Sequence, residues 1–96
     1  MARYRFFQLG QLLATPAALE TFTHQEITEC LWKHSQCQWG NICLEDWNAN
    51  NAALKNGGRL LSVYKLSRGR VLWIITEAED DEGYRAATTM LLPSDY

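Results

Sequence analysis

The chain has 96 residues, is 47% hydrophobic, carries four Trp, four Tyr and three Phe, and has a formal net charge of −2. That apolar content predicts one domain, residues 1–96, with a single core that needs no staples. The near-balanced charge excludes a general electrostatic grip on nucleic acid, which requires a basic surface, and it is too weakly acidic for a DNA mimic. Three cysteines cannot all close into internal disulfides, so reduced thiols and a cytoplasmic location are expected. No signal peptide or membrane span is expected, because the apolar run after Arg3 and Arg5 is broken by Gln8 and Gly10.

In chain order, residues 4–9 read as a short strand or extended arm. Thr15 is a good N-cap and Pro16 suits a first helical position, predicting a short helix over 16–22. Thr23 and Glu26 fit a capping box opening a second helix. Ile27, Cys30, Leu31 and His34 share one face of it, and it ends near 35–36. Residues 37–43 turn around Gly40. A third helix covers about 44–55, with Glu45 and Asp46 in its first turn, where the helix dipole favours acids. Leu44, Trp47, Asn51 and Leu54 share its face, and Asn56-Gly57-Gly58 stops it.

The second half alternates in the manner of strands over 59–66, 71–77 and 84–92, separated by turns at 67–70 and 78–83. Val71–Thr76 is apolar on both faces and is predicted to be central, with Trp73 in the core. The expected class is α+β: N-terminal helices (about 15–57) packed on a C-terminal three-stranded antiparallel meander (about 59–92).

Three groups of residues invite a chemical reading. Cys30, His34, Cys37 and Cys43 have the ligand types of a zinc site but lack a paired C-x2-C knuckle. As a metal set they are an alternative to four core or loop side chains, and no cofactor is expected. Cys30 with His34 would serve as a nucleophile pair only in an open, electropositive pocket with an orienting group, and no such group is signalled. The acidic run Glu77, Glu79, Asp80, Asp81 and Glu82 reads as a solvated, mobile turn or as a knob offered to a basic partner.

Trp39, in a loop beside Gly40, and Trp47, on the third helix, are either interface anchors or lids over a small core. Trp32 flanks the core. Lys65, Arg68 and Arg70, with Arg59, form a small positive group that phosphate would meet weakly.

Several segments resemble a family of short bacterial proteins carried on plasmids and integrative elements. They are Leu9-Gly10-Gln11 with Ala14-Thr15-Pro16-Ala17-Ala18-Leu19; His34 followed by Trp39-Gly40; Glu45-Asp46 with Asn50 and Ala53-Leu54; Gly58-Arg59-Leu60-Leu61-Ser62-Val63-Tyr64; Trp73-Ile74-Ile75-Thr76-Glu77-Ala78; and Thr88-Thr89-Met90-Leu91-Leu92-Pro93-Ser94-Asp95-Tyr96. Some members are labelled type I restriction methylase subunits. A chain this short has neither the glycine-rich cofactor loop nor room for the doubly wound sheet such an enzyme needs. The cysteines are not part of the family pattern. The resemblance implies carriage on a mobile element.

The expected function is therefore a non-enzymatic protein-binding module that docks on a larger protein or nucleoprotein complex, such as an anti-CRISPR or anti-restriction inhibitor of host defence. An accessory nucleic-acid-binding protein and a small Cys/His metalloprotein are the alternatives.

Overall fold

The computed structural model describes residues 6–96. The chain forms β1 (Gln11–Ala14), α1 (Pro16–Thr21), α2 (His24–Ser35), α3 (Leu44–Asn56), β2 (Leu60–Lys65), β3 (Val71–Thr76) and β4 (Ala87–Leu91). Single 3-10 turns lie at Ser67–Gly69 and Pro93–Asp95. Among the described residues no helix is long and apolar enough to cross a membrane.

The helix boundaries follow the capping chemistry. Thr15 Oγ1 accepts from the Ala18 N–H at 3.1 Å, and Thr23 and Glu26 form the reciprocal capping box. Helix α3 ends at Gly57, whose φ of 82° places it in the left-handed region that glycine adopts without steric cost. A side chain at Gly57 would also meet Glu79 Oε1 at 2.8 Å.

The sheet is mixed and four-stranded, in the order β1-β4-β3-β2. Strands β2, β3 and β4 make the expected antiparallel meander, with β3 inside it. The expectation of a three-stranded, wholly antiparallel sheet is corrected by β1, which pairs parallel with β4 from Gln11↔Ala87 to Ala14↔Met90. A four-residue strand whose partner lies far along the chain shows no usable alternation of its own. Of the short strand or extended arm expected over 4–9, the strand is found instead at Gln11–Ala14. Tyr4 and Arg5, like Arg3, lie outside the described residues, and 6–9 form no strand. The third meander strand is shorter than expected, since Arg85 makes only an isolated bridge with Glu79.

Strand alternation sends Leu60, Ser62, Tyr64, Leu72, Ile74, Thr76, Thr88 and Met90 to one face, and all are buried. Helices α1 and α2 cover this face through Ala18, Phe22, Ile27 and Cys30. Trp39 and Ala53 cover Leu60. Each fully buried Leu or Ile contributes about 1.5–3 kcal/mol. The inward face of α3 is Asn50 and Ala53. The expected Leu44, Asn51 face is corrected, with both residues exposed.

The opposite face carries Leu13, Leu61, Val63, Val71, Trp73 and Thr89, with Ile75 and Leu91 buried among them, in the alternate positions. No helix covers it. Trp73, expected in the core, therefore lies on the face away from the helices, half-buried against the Tyr96 ring at 5.6 Å. Arg59 Nη1 donates to Tyr96 Oη at 2.7 Å and holds that ring over the sheet.

Candidate functional site

The Cys/His group is not assembled for metal or thiol chemistry. Among the described residues no cluster of three His, Cys, Asp or Glu side chains is placed to hold an ion. Both nitrogens of His34 are engaged: Nδ1 lies 2.6 Å from Ser62 Oγ and Nε2 lies 2.8 Å from Thr76 Oγ1. Thr76 Oγ1 meets Thr88 Oγ1 at 2.7 Å, and Thr88 donates to the Leu9 carbonyl at 2.6 Å.

That carbonyl can only accept, and it sets the direction of the whole chain. Thr88 donates to Leu9, so Thr76 donates to Thr88, His34 donates through Nε2 to Thr76, and Ser62 donates to His34 Nδ1. Every polar atom is satisfied by a neutral imidazole. Burial pushes the His34 pKa down to about 3.

Ser62 and His34 have the separation of a nucleophile and its base, but both are 0% exposed, so no substrate reaches them in this conformation. Burial raises the Cys30 thiol to about 11 and also raises Cys37, which disfavours thiolate at both. Cys43 is exposed.

The candidate partner-binding residues do not form one patch. Trp39 is 0% exposed, packed beside Phe7 and His34, and its Nε1 donates to Asn51 Oδ1 at 3.0 Å. Its reading as an exposed anchor is corrected, because its loop folds over the end of the core and turns the ring inward. Trp47 is half-buried and lines a 410 Å³ cleft with Lys33 and Lys65 near the N-terminal end of α3.

The acidic turn lies at the other end of that helix. Arg85, a residue the sequence reading passed over, fixes it there. Its guanidinium donates to the carbonyls of Gly58 (2.6 Å), Glu77 (3.0 Å) and Ala53 (3.1 Å), and Glu79 stands 3.9 Å away. A 13-residue helix is about 20 Å long, which separates Trp47 from the acids.

The acidic turn is held rather than loose. Asp80 Oδ1 accepts from the Glu82 and Tyr84 N–H groups at 2.9 and 3.0 Å. These hydrogen bonds lower the Asp80 pKa. Glu77, Asp81 and Glu82 remain exposed.

Of the basic candidates, Lys65, Arg68 and Arg70 share the β2–β3 hairpin end. Arg59 sits at the far end of β2, committed to Tyr96. Six strand residues span about 20 Å, so Arg59 does not join the other three. The sheet has a basic end, an acidic end and an apolar, helix-free surface between them.

Asn50 was not read from the sequence as a functional or structural contact. Its amide pairs with both the N–H and the C=O of Leu61, at 3.1 and 2.7 Å, taking the place of a neighbouring strand. The signal for Ser62, Thr76 and Thr88 was available: each is polar at an inward position of an apolar strand, where burial demands a partner, and a lone His on a helix's inner face supplies one.

No family model, curated protein or solved structure matches the chain.

Proposed function

We propose that the chain is a non-enzymatic docking module whose contact surface is the helix-free face of its sheet. One observation carries this reading: among the described residues, Leu61, Val63, Val71 and Trp73 lie side by side, each partly exposed, with no helix over them. A two-layer domain that covers one sheet face and leaves the other apolar has a surface suited to a partner. The acidic turn at one end and the basic hairpin at the other would orient that partner, since charges at an interface rim set register more than affinity. With the mobile-element resemblance, the partner class is a larger cytoplasmic protein or nucleoprotein complex, and inhibition of a host defence complex is the concrete form.

Site-specific photocrosslinking tests this in lysate of a host cell. A photoreactive residue at Val63 is expected to capture a discrete partner that the same residue at exposed Trp32, on the helical side, does not. Capture of nothing, or of the same set from both positions, overturns the reading.

A second reading rests on Lys65, Arg68 and Arg70 sharing one end. If they grip phosphate, binding to single or double strands appears at low salt and is lost when all three become Ala.

A further inference from the structure

The sheet has two edges, and the chain treats them differently. On β2 the outward groups are occupied: Asn50 pairs with Leu61; Val63 donates to Trp39 and accepts from Asn41; the Lys65 N–H donates to Asn41 Oδ1. On β1, Gln11 donates to the Ala86 carbonyl and Thr15 to the Met90 carbonyl. Strand alternation then turns the N–H and C=O of residues 11 and 13 toward β4, and those of Leu12 and Ala14 away from the sheet.

Among the described residues no group hydrogen-bonds to those outward N–H and C=O groups. Leu12 is 50% and Leu13 42% exposed. Gln11–Ala14 is short but contains no charge and no proline, two of the devices that stop edge strands from pairing.

We propose that β1 pairs with β1 of a second copy, antiparallel about a two-fold axis, joining two sheets into one of eight strands. The segment is its own complement when the axis passes at Leu13. Leu12 then faces Ala14 of the second copy, large against small, and exchanges two backbone hydrogen bonds with it; the symmetric pair makes two more. Leu13 faces its own counterpart as a non-hydrogen-bonded pair, the position where opposed side chains come closest.

Electrostatics permits this occupant. An uncharged strand meets no like charge across the axis, whereas a charged edge would oppose itself there. The join also extends the apolar helix-free face across the axis, because Leu13 lies on that face beside Thr89. A four-residue contact of this kind is small, so the dimer is weak and concentration-dependent. It closes under two-fold symmetry and does not propagate.

Leu12→Pro tests the edge directly. The N–H it removes points away from β4, so the β1–β4 ladder keeps its bonds. Sedimentation equilibrium from micromolar to millimolar concentration is expected to show a monomer–dimer equilibrium for the wild type and monomer for Leu12→Pro, with unchanged circular dichroism. Should Leu12→Pro unfold, cysteine trapping decides the matter. In a Cys37→Ser, Cys43→Ser background, Leu13→Cys is expected to form a disulfide-linked dimer on mild oxidation, and Gln11→Cys is not.

A wild type that stays monomeric throughout, or Leu13→Cys linking no faster than Gln11→Cys, overturns the proposal. A foreign strand on this edge would give that same monomeric result. The pairing uses the edge and not the face, so its failure leaves the Val63 crosslinking experiment unaffected, and the converse also holds.

Discussion

The two faces of the sheet divide the molecule's work. The covered face mixes Leu72 and Ile74 with Ser62, Thr76 and Thr88, every one of them 0% exposed. The uncovered face sets Leu61, Val63, Val71 and Trp73 together. Its charged positions stand at the two ends, Lys65 at one and Arg59 and Glu77 at the other. Polar groups thus concentrate where water is absent and have fixed hydrogen-bond partners, while Leu61, Val63, Val71 and Trp73 lie where water has partial access. Buried polar pairs fix one arrangement of helices on strands. Half-exposed aliphatic and aromatic side chains fix little and remain available for a contact. Stability and binding should therefore separate by face when residues are changed.

The largest expected effect is on the covered side. Leu72→Ala should cost about 3 kcal/mol, because a fully enclosed side chain leaves a cavity, whereas Val63→Ala on the other face should cost under about 1 kcal/mol. Urea midpoints for the two variants measure the contrast, and equal losses would break it.

His34 gives a pH-dependent version of the same test. Its folded pKa of about 3 lies below the roughly 6.5 of an unfolded histidine. Below pH 6.5 the unfolded chain takes up a proton that the folded chain refuses. The stabilisation is complete above that pH and declines by about 1.4 kcal/mol per unit as pH falls toward 3. Hydrogen bonds hold the Asp80 and Asp95 carboxyls below the usual range, and they lose their contribution only at about pH 4 and lower. Urea titrations between pH 6.5 and 4.5 should therefore show a slope that His34→Gln removes.

The smallest effect concerns the ring on the uncovered side. Tyr96→Ala deletes the contact with Trp73 and the bond from Arg59 and should cost about 1 kcal/mol. Trp73 fluorescence should shift toward that of a wetter indole without loss of the fold.

Much of this architecture was legible locally. Thr15-Pro16, Thr23 with Glu26, and Gly57 mark helix ends through bonds made within four residues, and β2 and β3 announce themselves by alternation. What stayed hidden depends on distant partners. The pairing of β1 with β4 joins residues more than seventy positions apart. The inward turn of Trp39 depends on Phe7 and Asn51. Trp73 has the same neighbours in sequence whichever face of the strand it occupies, and only the placement of the helices decides which face is covered. The candidate site was less legible than the fold. Acidic and basic residues were grouped by sequence proximity, which placed Lys65, Arg68 and Arg70 together correctly but misplaced Arg59 at the wrong end of a strand.

The hydroxyl chain through His34 has one more consequence, a spectroscopic one. Its direction is dictated by the Leu9 carbonyl, so the imidazole tautomer reports whether the segment preceding β1 is seated. Release of that carbonyl would free Thr88, then Thr76, to reverse their hydroxyls, and the ring proton could move from Nε2 to Nδ1. The ¹⁵N resonances of a single buried ring would then register an event at the edge of the molecule, with no label placed there.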